Sequence, residues 1–270
     1  NGLSVAGPLA RSPEDLEIAM NVLAAPQGQD EIAWSIKLPK PKVTDITKLK
    51  VAVWPEEKSA EVDEEINNLI NDTADDLRSA GAKVETEAPP FSFDEIDDIY
   101  SKLVHPIMSA GGDKETLATA DALSTELDDS DMSELAKITR GVSLRARDYV
   151  VNNARRHFIK QKWLKFFENY DVMLSPVCAV PAFKHNHDPL IERTINVNGK
   201  EKQYWHTTIW AGPVVTANLP STSTPIGLTS SGLPVNLQII GPYLHDLTCI
   251  EVAKMIRDLR GGFRIPPNFQ

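Results

Sequence analysis

Apolar positions recur along the chain at two spacings, one typical of helices and one typical of strands. The first helical pattern follows Ser12 and Pro13, residue types favoured at the cap and the first position of a helix. Its apolar face is predicted to hold Leu16, Ala19, Met20 and Leu23. Pro26 ends this helix, because proline cannot continue the backbone hydrogen bonding.

A strand, a helix and a second strand are predicted next. Residues 49–54 form a short apolar run, residues 62–81 repeat apolar positions at helical spacing, and residues 82–88 alternate. This βαβ order predicts a parallel pair of strands. The loop after the first strand has Glu56 and Glu57 but no glycine, which argues against a phosphate-binding nucleotide site.

The middle of the chain is mostly helical and strongly charged. Residues 92–139 are acidic, and residues 143–169 predict a long basic helix that packs on them. The inward face of this helix is predicted to hold Phe158, Ile159, Trp163 and Phe166. The stretch 126–134 lacks the glycine and the closing glutamate of a calcium loop, so a solvated surface is favoured over a metal site.

The last third is predicted to be rich in strands. Residues 170–183 begin as a buried strand and run into a proline-rich turn, and residues 196–204 form a hairpin around Asn198 and Gly199. The remaining elements are a strand over 218–228, a turn at 229–232, a strand over 233–241 and a helix over 245–262. Together these elements predict an α/β protein.

Composition narrows the classes of partner. The 270 residues include 28 Lys and Arg against 38 Asp and Glu, a formal net charge of −10, which disfavours nucleic acid and anionic membranes. No apolar run approaches the roughly 20 residues that span a bilayer. Cys178 and Cys249 lie far apart in apolar company. They are interpreted as reduced core residues, which favours a cytoplasmic location.

Histidines, serines and threonines that could bind a metal or act as nucleophiles occur, but the further ligands or bases that such sites require are absent from the sequence nearby. His185 and His187 would point the same way on a strand, but no nearby Cys or third His completes a metal site, so a polar loop is favoured. The serines and threonines at 221–224 and 229–231 have no base at a recognisable spacing and are interpreted as strand and turn residues. The residues alone therefore predict no catalytic group, metal or cofactor.

Three stretches, in order, resemble the amidase signature hydrolases. They are GPLARSPEDLEIAMNVLA at 7–24, YDVMLSPVCAVPA at 170–182 and ANLPSTSTPIGLTSSGLPVNLQIIG at 217–241. They are similar to the glycine-proline approach with its capped helix, to the late strand and to the C-terminal hairpin of that family. The resemblance implies that residues 1–270 are the C-terminal portion of a single amidase signature domain, with a mixed β-sheet covered by helices.

In that family a lysine, a serine in a cis peptide and a nucleophilic serine lie upstream of the glycine-proline approach. None has a counterpart here, so no catalytic residue is carried over. The resemblance implies a serine amidase that hydrolyses a small aryl or acyl amide. The N-terminal portion, as a separate chain or a preceding segment, would supply the triad, and this chain the outer sheet and part of the substrate pocket. A homodimer is left open.

Two alternatives to that function stay open. One is a catalytically inactive homologue that acts as a binding or structural subunit. The other is an unrelated α/β ligand-binding domain.

The segment 203–216 leads into Asn218, and in the family this stretch faces the nucleophile. The candidate substrate-binding residues on it are Trp205, Ile209 and Trp210. They would form an apolar, aromatic wall for an aryl or acyl substituent, and core packing is the alternative. Ala211 stands where glutamine-dependent amidotransferase members carry a substrate-binding Asp. This departure favours an aryl-acylamidase-like or general amidase over a tRNA-amidating subunit.

Overall fold

The structure is a computed structural model that describes residues 2–128, 130–131 and 133–267. Its helices in that part are α1 Pro13–Leu23, α2 Glu64–Ser79, α3 Phe93–Met108, α4 Lys114–Glu126, α5 Glu134–Val142, α6 Ala146–Phe166, α7 Gly212–Ala217 and α8 Asp246–Arg260. Its strands are β1 Lys50–Val53, β2 Lys83–Thr86, β3 Val172–Pro176, β4 Thr194–Val197, β5 Lys200–Gln203, β6 Ser221–Leu228 and β7 Pro234–Ile240.

Five of these strands form a mixed sheet in the order β2-β1-β3-β7-β6. β1 runs parallel to both neighbours, with Val51 opposite Val84 and Val172. β7 runs antiparallel to β3 and to β6. The predicted βαβ unit and the predicted mixed sheet are both confirmed.

The apolar runs occupy the centre of the sheet. Every residue of β3 is buried, and so are the last three residues of β1. Helix α2 connects β1 to β2 and lies against β3, β6 and β7, while α8 packs on β6 and α1. The sheet is therefore covered by helices, as an α/β fold requires.

Strand β6 lies at one edge of the sheet, and its only strand partner in the described residues is β7. Beside it is a groove of about 500 Å³ lined by Ser221–Ser223 of β6, by residues 5–10 and by the apolar face of α1. Leu9 is fully exposed and Val22 is 72% exposed. An open strand edge beside exposed apolar residues is a surface that favours association.

The basic helix α6 packs on the acidic region, as predicted. Arg155 lies 2.8 Å from Asp98 of α3, and Lys162 lies 3.4 Å from Glu95 of the same helix. These pairs are partly exposed, so each contributes little on its own. Asp129 and Met132, inside the acidic stretch 126–134, lie outside the described residues.

One prediction about α6 was wrong. Phe158 is 67% exposed, whereas Ile159, Trp163 and Phe166 are buried. Residues 159, 163 and 166 follow helical spacing, while position 158 is rotated by about 100° from position 159 and points to solvent.

The prediction that both cysteines are core residues was wrong for Cys178. Cys249 is fully buried in α8, but Cys178 is exposed. Strand β3 ends at Pro176, so Cys178 lies in the turn that follows. The turn is where the sequence predicts it, but the burial of the strand does not extend into it.

The predicted hairpin is confirmed as β4 and β5, and its turn is held against α2. Asn198 and Gly199 have φ values of 51° and 80°, the left-handed conformation that this residue pair favours. The Asn198 side chain accepts a hydrogen bond from the backbone of Glu64 and donates one to the carbonyl of Val62. Lys200 and Lys202, together with Asn198, contact the carboxylate of Glu61 and lower its pKa to about 2.

We expect Glu61→Gln to lower the melting temperature at pH 7 and to lose that effect in acid. The folded-state pKa of Glu61 is about 2, below the ordinary value of about 4.3, so its ionised form stabilises the fold above the ordinary value. That contribution is lost as the pH falls from about 4 to about 2. Thermal melts at pH 7, 5, 4 and 3 measure it.

Glu56→Gln is the control, since Glu56 is exposed in the same loop and makes no ion pair with the described residues. Its effect on the melting temperature should be small and vary little with pH. A difference between Glu61→Gln and wild type that stays constant down to pH 3 would contradict the prediction.

Candidate functional site

A cavity of about 200 Å³ lies between α3, α5 and the short 3-10 helix Tyr204–Ala211, and we refer to it as the α3–α5 cavity. Its apolar lining consists of Tyr100, Val104, Met108, Trp205 and Ile209. Its polar lining includes Asp97, Ser101, His105, Glu134, Lys202 and His206. Apolar walls with a few convergent polar groups are typical of small-molecule sites.

One side of this cavity is formed by a single face of α3. Positions 97, 100, 101, 104, 105 and 108 recur at intervals of three or four residues, so they lie on one face of α3. The opposite side is the 3-10 helix, where the Thr207 hydroxyl donates to the Tyr204 carbonyl at 2.8 Å. The Thr208 hydroxyl likewise donates to the Trp205 carbonyl at 3.2 Å.

The predicted pocket residues are divided between two environments. Trp205 and Ile209 are half-buried and line the α3–α5 cavity. Trp210 is 1% exposed and lies in the core, with its ring centroid 5.0 Å from that of Trp54 and 5.5 Å from that of Phe93. Its indole nitrogen donates to the Ala60 carbonyl at 3.0 Å. One step along a 3-10 helix turns a side chain by about 120°, which separates Trp210 from Ile209.

Helix α5 forms the third side of the cavity, and a glycine allows it to lie close to α3. A Cβ on Gly141 of α5 would lie 2.7 Å from the Cβ of His105 and 3.0 Å from the carbonyl oxygen of Ser101. Only glycine fits this approach of α5 to α3 without displacing backbone. The crossing positions the first residue of α5, Glu134, at the cavity.

Burial changes the titration of the polar lining. Burial lowers the pKa of His105, which keeps its imidazole neutral near pH 7. Burial raises the pKa of Glu134, and the nearby Asp97 carboxylate raises it further. Asp97 itself pairs with the ammonium of Lys137 in α5. The sequence indicates only an acidic helical surface here, and the spacing on α3 is the one signal for a shared face.

Catalysis in the cavity would need a nucleophile and a base that contact each other. Among the described residues no hydrogen bond joins the Ser101 hydroxyl to the His105 ring, so no nucleophile and base are paired there. The serines and threonines at 221–224 lie in β6 and pair with β7, as predicted. The sequence predicts no catalytic residue in this chain.

Two further features bear on ligands. The rings of His185 and His187 lie 6.2 Å apart in a loop. In the described ranges no three His, Cys, Asp or Glu side chains are grouped to hold a metal ion. Within the same ranges, no helix has the length and the apolar character needed to cross a membrane.

Comparison with known proteins finds a family and individual proteins that are similar to this chain. The sequence model of the family described as Amidase matches residues 1–250. A glutamyl-tRNA(Gln) amidotransferase subunit of Exiguobacterium sp. strain AT1b is 29% identical over 98% of this chain and 57% of its own length.

Solved structures with the same fold include two proteins of different described activity. A bacterial aryl acylamidase of the amidase signature family matches with a TM-score of 0.65 and 22% identity, over 94% of this chain and 52% of its own. The corresponding glutamyl-tRNA(Gln) amidotransferase subunit from Thermotoga maritima matches with a TM-score of 0.69 and 21% identity. The match covers 93% of this chain and 52% of that subunit. The chain spans about half the length of these relatives.

Proposed function

This chain belongs to the amidase family, and from that premise we propose that it is the C-terminal portion of one amidase signature domain, residues 1–270. The complete enzyme hydrolyses the carbon-nitrogen bond of an aryl or acyl amide with a lysine and two serines supplied by the N-terminal portion. This chain contributes the outer sheet and one wall of the substrate pocket. Its cytoplasmic location stays a prediction.

The observation that carries the proposal is the apolar half of the α3–α5 cavity. Trp205 and Ile209 converge there with Tyr100 and Val104, in a space of about 200 Å³. An apolar cavity of about 150 Å³ is enough to hold a benzene ring. The size and lining therefore support an aromatic or short acyl substituent of the amide.

The open edge of the sheet supports the proposed partner. β6 has no second strand neighbour in the described residues, and the adjacent groove is lined by the apolar face of α1. The N-terminal portion of the same amidase would cover this groove and bring its catalytic groups toward the wall. A homodimer is the other occupant that this edge could take.

A second candidate function is that of a subunit of an amidotransferase, which the name of the Exiguobacterium relative favours. Ala211 argues against it, because a side chain without a carboxylate cannot bind a substrate ammonium at that position. The catalytically inactive subunit is the third candidate, and only an activity measurement separates it from the first.

We expect residues 1–270 alone to hydrolyse no anilide, and the longer polypeptide that includes the N-terminal portion to hydrolyse it. In that complete enzyme, Trp205→Ala should raise KM for an aryl amide about tenfold and change kcat less, since the wall binds ground and transition states alike. Steady-state kinetics with an anilide and a small aliphatic amide measure this. The aliphatic amide should show the smaller change.

Trp34→Ala is the matched control, because Trp34 is 70% exposed and lies outside the cavity. Turnover by residues 1–270 alone that a serine-directed phosphonate abolishes would contradict the missing triad. Hydrolysis of glutamine but not of anilides would favour the amidotransferase. Unchanged KM in Trp205→Ala would remove the wall from the substrate pocket.

A further inference from the structure

Two polar side chains in the α3–α5 cavity make no hydrogen bond or ion pair with any residue that the structure describes. His105 is 9% exposed, and its ring nitrogens have no partner there. Glu134 is half-buried, and its carboxylate has none either. Both side chains line the cavity, so their polar atoms are free to contact a ligand there.

The carboxylates in the cavity lining differ in their ion pairs. The Lys137 ammonium is in contact with Asp97, and Lys202 is 3.2 Å from Glu61, which lies outside the cavity. Glu134 forms no close ion pair in the described residues, although the charge of the neighbouring Lys137 acts on it. A cationic ligand in the cavity would supply the ion pair that Glu134 lacks.

The aromatic residues and the histidine of the lining can contact the other parts of a cationic ligand. Tyr100 and Trp205 present aromatic rings, which attract a cation as well as an apolar body. Burial lowers the pKa of His105, so its neutral imidazole keeps one nitrogen that accepts a hydrogen bond. Burial also raises the pKa of Glu134, and an adjacent bound cation would restore its ionised form.

We propose that the α3–α5 cavity recognises a primary ammonium group carried on an aromatic or apolar body. The carboxylate of Glu134 accepts from the ammonium, the His105 ring accepts a second hydrogen bond, and Trp205 and Tyr100 enclose the body. As a statement about the substrate this rests on the proposed function, because it makes the hydrolysed amide one with an amine-bearing substituent. As a statement about binding it is independent of catalysis.

Binding of benzylamine and of benzyl alcohol tests the proposal, since the two probes share a ring and differ in charge. Calorimetry or ligand-observed NMR on the purified protein at pH 7 should give a Kd for benzylamine about tenfold lower than for benzyl alcohol. Glu134→Gln should remove this preference and leave the Kd for benzyl alcohol within about twofold. Glu134→Asp should restore part of it, which separates a specific carboxylate from a folding defect.

Glu64→Gln is the matched control, because Glu64 begins α2 as Glu134 begins α5 but is exposed outside the cavity. It should keep the wild-type preference. Equal affinities in wild type, a preserved preference in Glu134→Gln, or no binding of benzylamine would overturn the proposal. The measurement needs no catalytic serine, so an inactive complete enzyme would overturn the proposed function and leave this result standing.

Discussion

Trp210→Ala is expected to lower the free energy of unfolding by about 3–5 kcal/mol. The indole is 1% exposed and packs edge-on against the rings of Trp54 and Phe93. Truncation leaves a cavity between these rings and leaves the Ala60 carbonyl without the indole N–H that donates to it. Chemical denaturation followed by circular dichroism measures the change.

Trp205→Ala is the comparison within the same 3-10 helix. Trp205 is only half-buried and makes no side-chain hydrogen bond in the described residues, so its loss should cost about 1 kcal/mol. Equal destabilisation by the two substitutions would contradict the division between core and cavity. A Trp210→Ala enzyme that keeps its stability but shows a raised KM would return Trp210 to the substrate pocket.

Arg156→Met is expected to lower the free energy of unfolding by about 3 kcal/mol, or the melting temperature by roughly 6–12 °C. The guanidinium is 5% exposed and donates to the carbonyls of Thr216 and Gly2 and to the side-chain oxygen of Asn218. Methionine keeps much of the volume but removes the guanidinium from all three acceptors. The Gly2 carbonyl then keeps only the Asn218 amide as a donor, and the Asn218 oxygen keeps the Lys160 ammonium. Differential scanning calorimetry on the variant and the wild type measures the shift.

Arg155→Met is the matched control on the same helix. Arg155 is more exposed and its ion pair with Asp98 is partly solvated, so about 1 kcal/mol or less is expected. A shift for Arg156→Met no larger than that of Arg155→Met would show that the buried network contributes little. The same result would show that Gly2 is held mainly by the hydrogen bond from Asn218.

Periodicity was enough to predict most of the helices and strands of this fold. α2 and α8 have strong apolar faces and glycines near their ends, so their type and approximate bounds follow from the residues. Phe158 was misplaced because an aromatic side chain invites burial, yet its angular position on α6 decides its exposure. Cys178 was misplaced because the end of a buried strand is hard to locate when an apolar sequence continues into a turn.

Only some of the residues that line the α3–α5 cavity could be predicted from the sequence. Trp205 and Ile209 could be named because they precede the Asn218 corner, but neighbours in sequence do not share a direction in a 3-10 helix, and Trp210 diverged. His105 and Glu134 could not be named, because they meet Trp205 only after three separate elements pack together. The glycine that permits the packing, Gly141, carries no local signal that it faces a histidine on another helix.

The hydrogen bonds that hold Gly2 set an order for folding during synthesis. The Gly2 carbonyl is held by Asn218 and Arg156, and 216 residues separate Gly2 from Asn218 along the chain. A ribosome adds about 5–20 residues per second, so Asn218 is synthesised roughly 10–40 s after Gly2. During that interval Leu3, which is 2% exposed once folded, is accessible to chaperones and proteases. The last third of the chain therefore decides when Leu3 becomes protected.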